Sequence, residues 1–149
     1  MGQLFSTPQS GLSSDDYYTP KAVFDRLGIE FDIDVAAPPG GIPWIPAKRF
    51  FTMADDGLAQ PWEGRVWMNP PYSNATPWVR RFVEHRDGVA LLPFAKSQWL
   101  FSLWQTDAAI VVTERKVQFF VGGDVRYPTF LAAYEAECVA AIGRFGRIR

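Results

Sequence analysis

Val66-Trp67-Met68-Asn69-Pro70-Pro71-Tyr72-Ser73 is an apolar run that stops abruptly in an amide, two prolines and an aromatic ring. Arg65 through Met68 reads as a short buried strand. Pro70 and Pro71 cannot extend it, because neither has an N–H to give to a neighbouring strand. The Asn69 amide and the Tyr72 ring are therefore left at the strand's carboxyl end, which in open α/β sheets is the edge where ligands bind.

Working outward toward the amino terminus, residues 42–62 are dense in Pro, Gly and aromatics and show no sustained period. They read as a long ordered loop with a helical turn near Asp55-Asp56-Gly57-Leu58, and long loops inside a compact domain are usually functional. Before them, Ile29 to Val35 alternates apolar and acidic residues as a strand does. It runs into Ala36-Ala37-Pro38-Pro39-Gly40-Gly41, which permits a sharp turn or close backbone approach. Lys21 to Leu27 reads as a short amphipathic helix, with Thr19 as N-cap, Pro20 in the first turn and Gly28 as the C-terminal cap. Residues 1–14, rich in Ser, Gly and Gln, read as a flexible arm ahead of one domain spanning 15–149.

Toward the carboxyl terminus, Thr76 to His85 reads as a helix capped by Thr76, with Trp78, Val79, Phe82 and Val83 toward the core. Gly88 to Pro93 is wholly apolar, as expected of a strand in the middle of a parallel sheet. A helix over Ser97–Trp104 and a strand over 108–113 follow. Lys116–Phe120 and Thr129–Tyr134 flank a Gly-rich link and read as a hairpin. Strands alternating with helices, then a hairpin, imply an α/β sheet, mostly parallel, with an antiparallel hairpin at its edge.

Composition narrows the functional classes. The 149 residues carry a net charge of −1, so bulk charge gives no reason to expect nucleic-acid binding, and such contact would need a local basic patch. Six Trp, five Tyr and twelve Phe supply core anchors and also faces on which bases can stack. A single Cys, Cys138, excludes an internal disulfide and a multi-cysteine zinc site, and the single His, His85, reads as solvated, so no metal is expected. Neither a signal-peptide pattern nor a membrane-spanning apolar run is visible, and a cytoplasmic protein is the expectation.

The Asn69–Tyr72 turn suits one chemistry. The exocyclic amine of adenine is a poor nucleophile because its lone pair is delocalised into the ring. Two acceptors facing its hydrogens would help the nitrogen become tetrahedral and release that pair. The Asn69 side-chain carbonyl and the Pro70 backbone carbonyl can serve, and Tyr72 offers a face for a base taken out of its duplex. The plain alternative is a strand-ending turn.

Together with Tyr18-Thr19-Pro20, Phe31 through Ala37, Ala47 through Thr52, Asp55 through Leu58 and Gln60-Pro61-Trp62, this turn resembles the small phage-type DNA N6-adenine methyltransferases (Dam-like). These lie within the wider S-adenosylmethionine-dependent amino-methyltransferases. The resemblance spans about residues 15–135 and implies a minimal Rossmann-like methyltransferase sheet. It implies that Asn69, Pro70, Pro71 and Tyr72 form the catalytic turn and that Tyr18, Thr19 and Pro20 fold over S-adenosylmethionine. Asp34, Ala36 and Ala37 would meet the cofactor's methionine part, and Asp55 or Asp56 its adenine amine. The plain alternatives are a solvent-facing strand Asp at 34 and a capping Asp at 55 or 56.

The chain also departs from the pattern. The first-strand motif lacks the Gly-x-Gly of larger relatives, the acidic residue usually found on the cofactor ribose has no counterpart, and two strand–helix units that normally intervene are missing. A compact sheet with fewer strands follows. DNA is the implied partner, with Lys48, Arg49, Lys96 and Arg126 as candidate contacts, and a homodimer is one way to supply target recognition. The competing readings are a methyltransferase-derived DNA-binding module without cofactor, and a methyltransferase acting on protein glutamine or RNA.

Overall fold

The computed structural model describes residues 18–94, 97–113, 117–118 and 126–149. In chain order these form α1 (Lys21–Leu27), β1 (Phe31–Asp34), β2 (Ala47–Phe50), β3 (Val66–Met68), α2 (Thr76–His85), β4 (Gly88–Pro93), α3 (Ser97–Trp104), β5 (Ala109–Val112), β6 (Val117–Gln118), β7 (Arg126–Tyr127), β8 (Thr129–Tyr134) and α4 (Ala136–Ile142). Residues 1–14, expected as an arm, lie outside the described residues.

One six-stranded sheet runs in the order β2-β1-β3-β4-β8-β5. The pairs β1–β2, β1–β3 and β3–β4 are parallel, whereas β8 runs antiparallel to both β4 and β5. The fold is thus mixed α/β, Rossmann-like and mostly parallel. Two apolar layers sandwich the sheet. Trp67, Val89, Leu91, Leu131 and Ala133 pack with α1 and α4, while Val66, Met68, Ala90, Leu92, Phe130 and Ala132 pack with α2 and α3. Alternate residues of one strand thus enter opposite layers. Both faces of β4 and β8 are covered, which is why their sequences are apolar without alternation.

Several local expectations change. Thr129–Tyr134 does not pair with Val117–Gln118, the described part of Lys116–Phe120; it enters the sheet as β8 between β4 and β5, and β6 pairs with β7 in a separate two-stranded ladder. Every residue of β8 is buried, which an outer hairpin strand could not achieve. The irregular stretch before β3 contains the strand β2, an edge strand whose last three residues are exposed and which therefore shows no apolar alternation. Thr19 does not cap α1; Pro20 takes the N-cap position without a side-chain bond. Gly28 ends that helix as expected, at φ 67°, its N–H donating to the Phe24 carbonyl at 3.0 Å. Ala75, not Thr76, is the N-cap of α2, and the Thr76 hydroxyl instead accepts the Trp99 indole N–H at 3.1 Å, joining α2 to α3. His85, expected to be only solvated, donates a ring N–H to the Gly64 carbonyl at 2.6 Å.

No helix among the described residues is long and apolar enough to cross a membrane.

Candidate active site

The chain leaves β1 outward to β2 and then returns to β3 on the other side of β1. The strand order reverses between β1 and β3, and a crevice opens beyond their carboxyl ends at such a switch point. The register makes the three strands end level: Asp34 sits opposite Phe50 on one side and Trp67 on the other. Just past these ends lies a cleft of about 250 Å³. Tyr18, Thr19, Asp34, Ala36, Ala37, Asp56, Asn69 and Pro71 all line it, so residues expected from four separate stretches converge on one space.

The walls follow from the loops. The chain after β1 stays beside β2 through Ala37 N–H to Phe51 carbonyl at 2.8 Å and Phe51 N–H to Asp34 carbonyl at 2.9 Å. The segment after β2 begins with a 3₁₀ turn at Met53–Asp55 and crosses the end of β1 at Gly57. A Cβ on Gly57 would lie 2.2 Å from the Val35 carbonyl oxygen and 3.0 Å from the Trp78 ring, so only glycine allows this crossing. The loop is then pinned from behind. The Trp62 indole donates to the Gly57 carbonyl at 2.8 Å, and Arg81 donates to the carbonyls of Leu58 at 2.6 Å and Gln60 at 2.9 Å. Trp78, expected to face the core, is only partly buried and lines the cleft as well.

Asp34 is the most unusual group in the cleft. It is 3% exposed, which overturns the reading of a solvent-facing strand residue. Its carboxylate accepts the Ala36 N–H at 3.3 Å, and no cation among the described residues offsets its burial. Desolvation pushes its pKa up to about 7 against the weaker opposing effect of that one hydrogen bond. A buried carboxylate of this kind favours a cationic partner.

The two neighbouring acids separate. Asp55 forms a capping box with Thr52, accepting its N–H at 2.8 Å and its hydroxyl at 3.1 Å, as the plain alternative had it. Asp56, at φ 58°, lines the cleft.

On the opposite wall, the amide of Asn69 donates from Nδ2 to the Thr19 hydroxyl at 3.1 Å, and the indole of Trp44 donates to the Thr19 carbonyl at 2.8 Å. Sequence reading missed Trp44. Tyr72 lies in the 3₁₀ turn Tyr72–Asn74 and is 9% exposed, packed in the layer that holds Phe24, Ile45 and Trp67. Tyr72 is not among the residues that line the cleft. Pro70 is buried and Pro20 caps α1; neither lines the cleft.

Two of the basic candidates, Lys48 and Arg49, lie elsewhere. Lys48 pairs with Asp32 at 3.3 Å, in a separate depression beside Arg65 and Asp87 that shares no lining residue with the cleft. Arg49 pairs with Glu63 at 3.4 Å. Lys96 lies outside the described residues, as does the side chain of Arg126, whose backbone belongs to β7.

A second cluster joins Asp87, Glu135 and the buried Cys138 within 4.8 Å. Arg65 stands against it, 3.4 Å from Glu135 and 3.3 Å from Glu137. Burial pushes the pKa of the Cys138 thiol up to about 12, so the thiol carries its proton at neutral pH.

Residues 7–132 match the family described as DNA N-6-adenine-methyltransferase (Dam). Among curated proteins, the DNA N-6-adenine-methyltransferase of Haemophilus phage HP1 (strain HP1c1) is 38% identical over 74 residues, which cover 46% of this chain and 41% of that protein. The chain thus matches less than half the length of that relative.

Proposed function

Since the chain belongs to the DNA N-6-adenine-methyltransferase (Dam) family, we propose that it transfers a methyl group from S-adenosylmethionine to the N6 amine of adenine in DNA. The observation that carries this reading is the convergence of an amide, Asn69, and a buried carboxylate, Asp34, on one cleft at the switch point of the sheet. The cofactor's fit is supported by Asp34, a buried carboxylate beside which no cation stands among the described residues and to which a cationic amino group would supply the counter-charge.

In this reading Asp34 holds the ammonium of the methionine part. Ala36 and Ala37 allow close approach beside it, and Asp56 accepts a hydrogen of the cofactor's adenine amine. When bound, S-adenosylmethionine supplies a methyl group on a sulfonium, activated for displacement. Asn69 Oδ1 and the Pro70 carbonyl accept the two hydrogens of the target amine, which localises its lone pair. Pro71 stiffens the turn that carries them. The acceleration comes from holding the amine in line and from acceptors oriented before the reaction. Tyr72 offers a face for the target base, and Tyr18 and Thr19 close the cleft on the side of α1, which Pro20 leads into. DNA contacts come from the loop after β4, which contains Lys96, and from the segment around Arg126; Lys48 and Arg49 belong to an edge where their charges are already paired.

The test is incubation of the purified chain with labelled S-adenosylmethionine and DNA, protein or RNA, with the modified base identified. N6-methyladenine in DNA is expected, and label in protein or RNA alone overturns the substrate. Asn69→Ala should lower the methylation rate by about a hundredfold or more, while cofactor affinity stays within about threefold. Full activity in that variant would remove Asn69 from the mechanism.

A further inference from the structure

We infer that Thr19 is a positioning residue for Asn69, and that Trp44 fixes Thr19 in turn. This rests on the reading of Asn69 as the amide that accepts from the target amine.

Thr19 is fully buried, with 0% of its surface exposed, yet it caps no helix, so its hydroxyl has another use. That hydroxyl lies 3.1 Å from Asn69 Nδ2, although fifty residues separate the two in sequence. The surrounding frame holds it in place. Trp44 Nε1 donates to the Thr19 carbonyl at 2.8 Å. Immediately after it, α1 is packed onto the sheet through Phe24, whose ring meets that of Trp67 edge-on at 4.7 Å. Trp67 is itself two residues before Asn69. Thr19 and Asn69 are therefore carried by elements that pack directly on each other.

The chemistry depends on which end of the amide faces the substrate. The terminal torsion of an asparagine is broad and nearly two-fold, so packing alone distinguishes poorly between its oxygen and nitrogen. Turned one way, the side chain offers the target amine an acceptor; turned the other way, it opposes donor with donor. A hydroxyl can accept or donate, so it serves the amide in either orientation while the cleft is empty. Once an amine donates to Oδ1, Nδ2 must find an acceptor on the other side, and the Thr19 hydroxyl is that acceptor. Without it, the productive orientation loses one hydrogen bond and with it part of its advantage over the flipped one.

The experiment compares Thr19→Val, which keeps the branched shape and loses the hydroxyl, with Thr19→Ser, which keeps the hydroxyl. Both are measured for kcat, for the KM of DNA and, by calorimetry, for S-adenosylmethionine affinity. Thr19→Val should lower kcat by about ten- to a hundredfold with KM and cofactor affinity within about threefold of the parent, and Thr19→Ser should recover most of the loss. Trp44→Phe should lower kcat in the same direction by a smaller factor. The proposal is overturned by a Thr19→Val enzyme of parental kcat, by a serine variant as poor as the valine one, or by a loss confined to cofactor affinity. If the parent protein methylates no adenine, the functional reading has failed. The pairing is then judged by the unfolding midpoints of Thr19→Val, Asn69→Ala and the double variant. Additive midpoints overturn it, and a double variant no worse than Asn69→Ala alone upholds the pairing.

Discussion

Asp32 and Asp34 belong to the same short strand, two residues apart, and their environments push their acidities in opposite directions. Near the amino end of β1, the Asp32 carboxylate accepts the Arg65 N–H at 2.8 Å and stands beside Lys48, and these hold its pKa below the usual carboxylate value. At the carboxyl end, Asp34 is buried with one backbone N–H for company, and its pKa is pushed up to about 7. One end of the strand satisfies its charge with Arg65 and Lys48; at the other, no cation among the described residues offsets the burial of Asp34. The difference separates a carboxylate that supports the fold from one whose burial works against it, as the proposed role of Asp34 in holding a cationic ligand would require.

The widest separation should appear in the dependence of stability on pH. A carboxyl whose pKa is raised in the folded state holds a proton that the unfolded chain gives up from about 3.8 upward, so the Asp34 contribution falls as pH rises toward 7 and levels off beyond it. In the ligand-free protein this loss is at most on the order of 4 kcal/mol. Asp34→Asn should flatten that part of the profile in denaturant titrations between acid and neutral pH. Asp32 has the opposite sign: its contribution is present above the ordinary carboxylate pKa and is lost as pH falls through its lowered value. Parallel profiles for the parent and Asp34→Asn would show that Asp34 is solvated in solution.

Ligand binding sharpens the same contrast. Asp34→Asn should weaken S-adenosylmethionine binding by about a hundredfold, because it removes the buried partner of a cation. Asp32→Asn should leave calorimetric affinity within about twofold. Equal losses in the two variants would erase the distinction between the ends of β1.

Smaller effects come from the amino end alone. Asp32→Ala removes the acceptor of the Arg65 N–H and should cost about 1 kcal/mol in equilibrium unfolding, with methyl transfer per folded molecule unchanged. Lys48→Ala, which breaks an exposed ion pair, should change stability by less than about 0.5 kcal/mol. A large drop in DNA affinity in that variant would instead restore Lys48 to the substrate surface.

What could be read from the residues alone follows from which signals are local. Val66–Met68 followed by two prolines announces both a strand and its end, and Gly28 announces the end of α1, because each depends on the backbone of a few consecutive residues. Asp34 could be recognised as a candidate from its position at the end of a strand. Its burial could not, because the cleft it lines is completed by Thr19, Asp56 and Asn69 from other parts of the chain. β2 was hidden because an exposed edge strand needs no apolar alternation. The position of β8 was hidden for the opposite reason: continuous apolar sequence reports burial on two faces and is silent about which neighbours supply it. The bond from Thr19 to Asn69 depends on the packing of α1 against β3, which no local pattern encodes.

The late insertion of β8 has a consequence for how this chain acquires its structure. Among the described strands of the six-stranded sheet β5 pairs only with β8, whose first residue comes seventeen positions after the last of β5, and its other edge meets Ile148 and Arg149, which come later still. As the polypeptide emerges from a ribosome, β1 to β4 can assemble in an order close to that of synthesis, whereas β5 must wait with its edge open. Until β8 emerges, the open flank of β4 and the unpaired β5 are both available to the wrong neighbour, including the same segment of another nascent chain. Slow steps and aggregation in refolding should therefore respond most to changes in β8, far from the cleft where the chemistry is proposed.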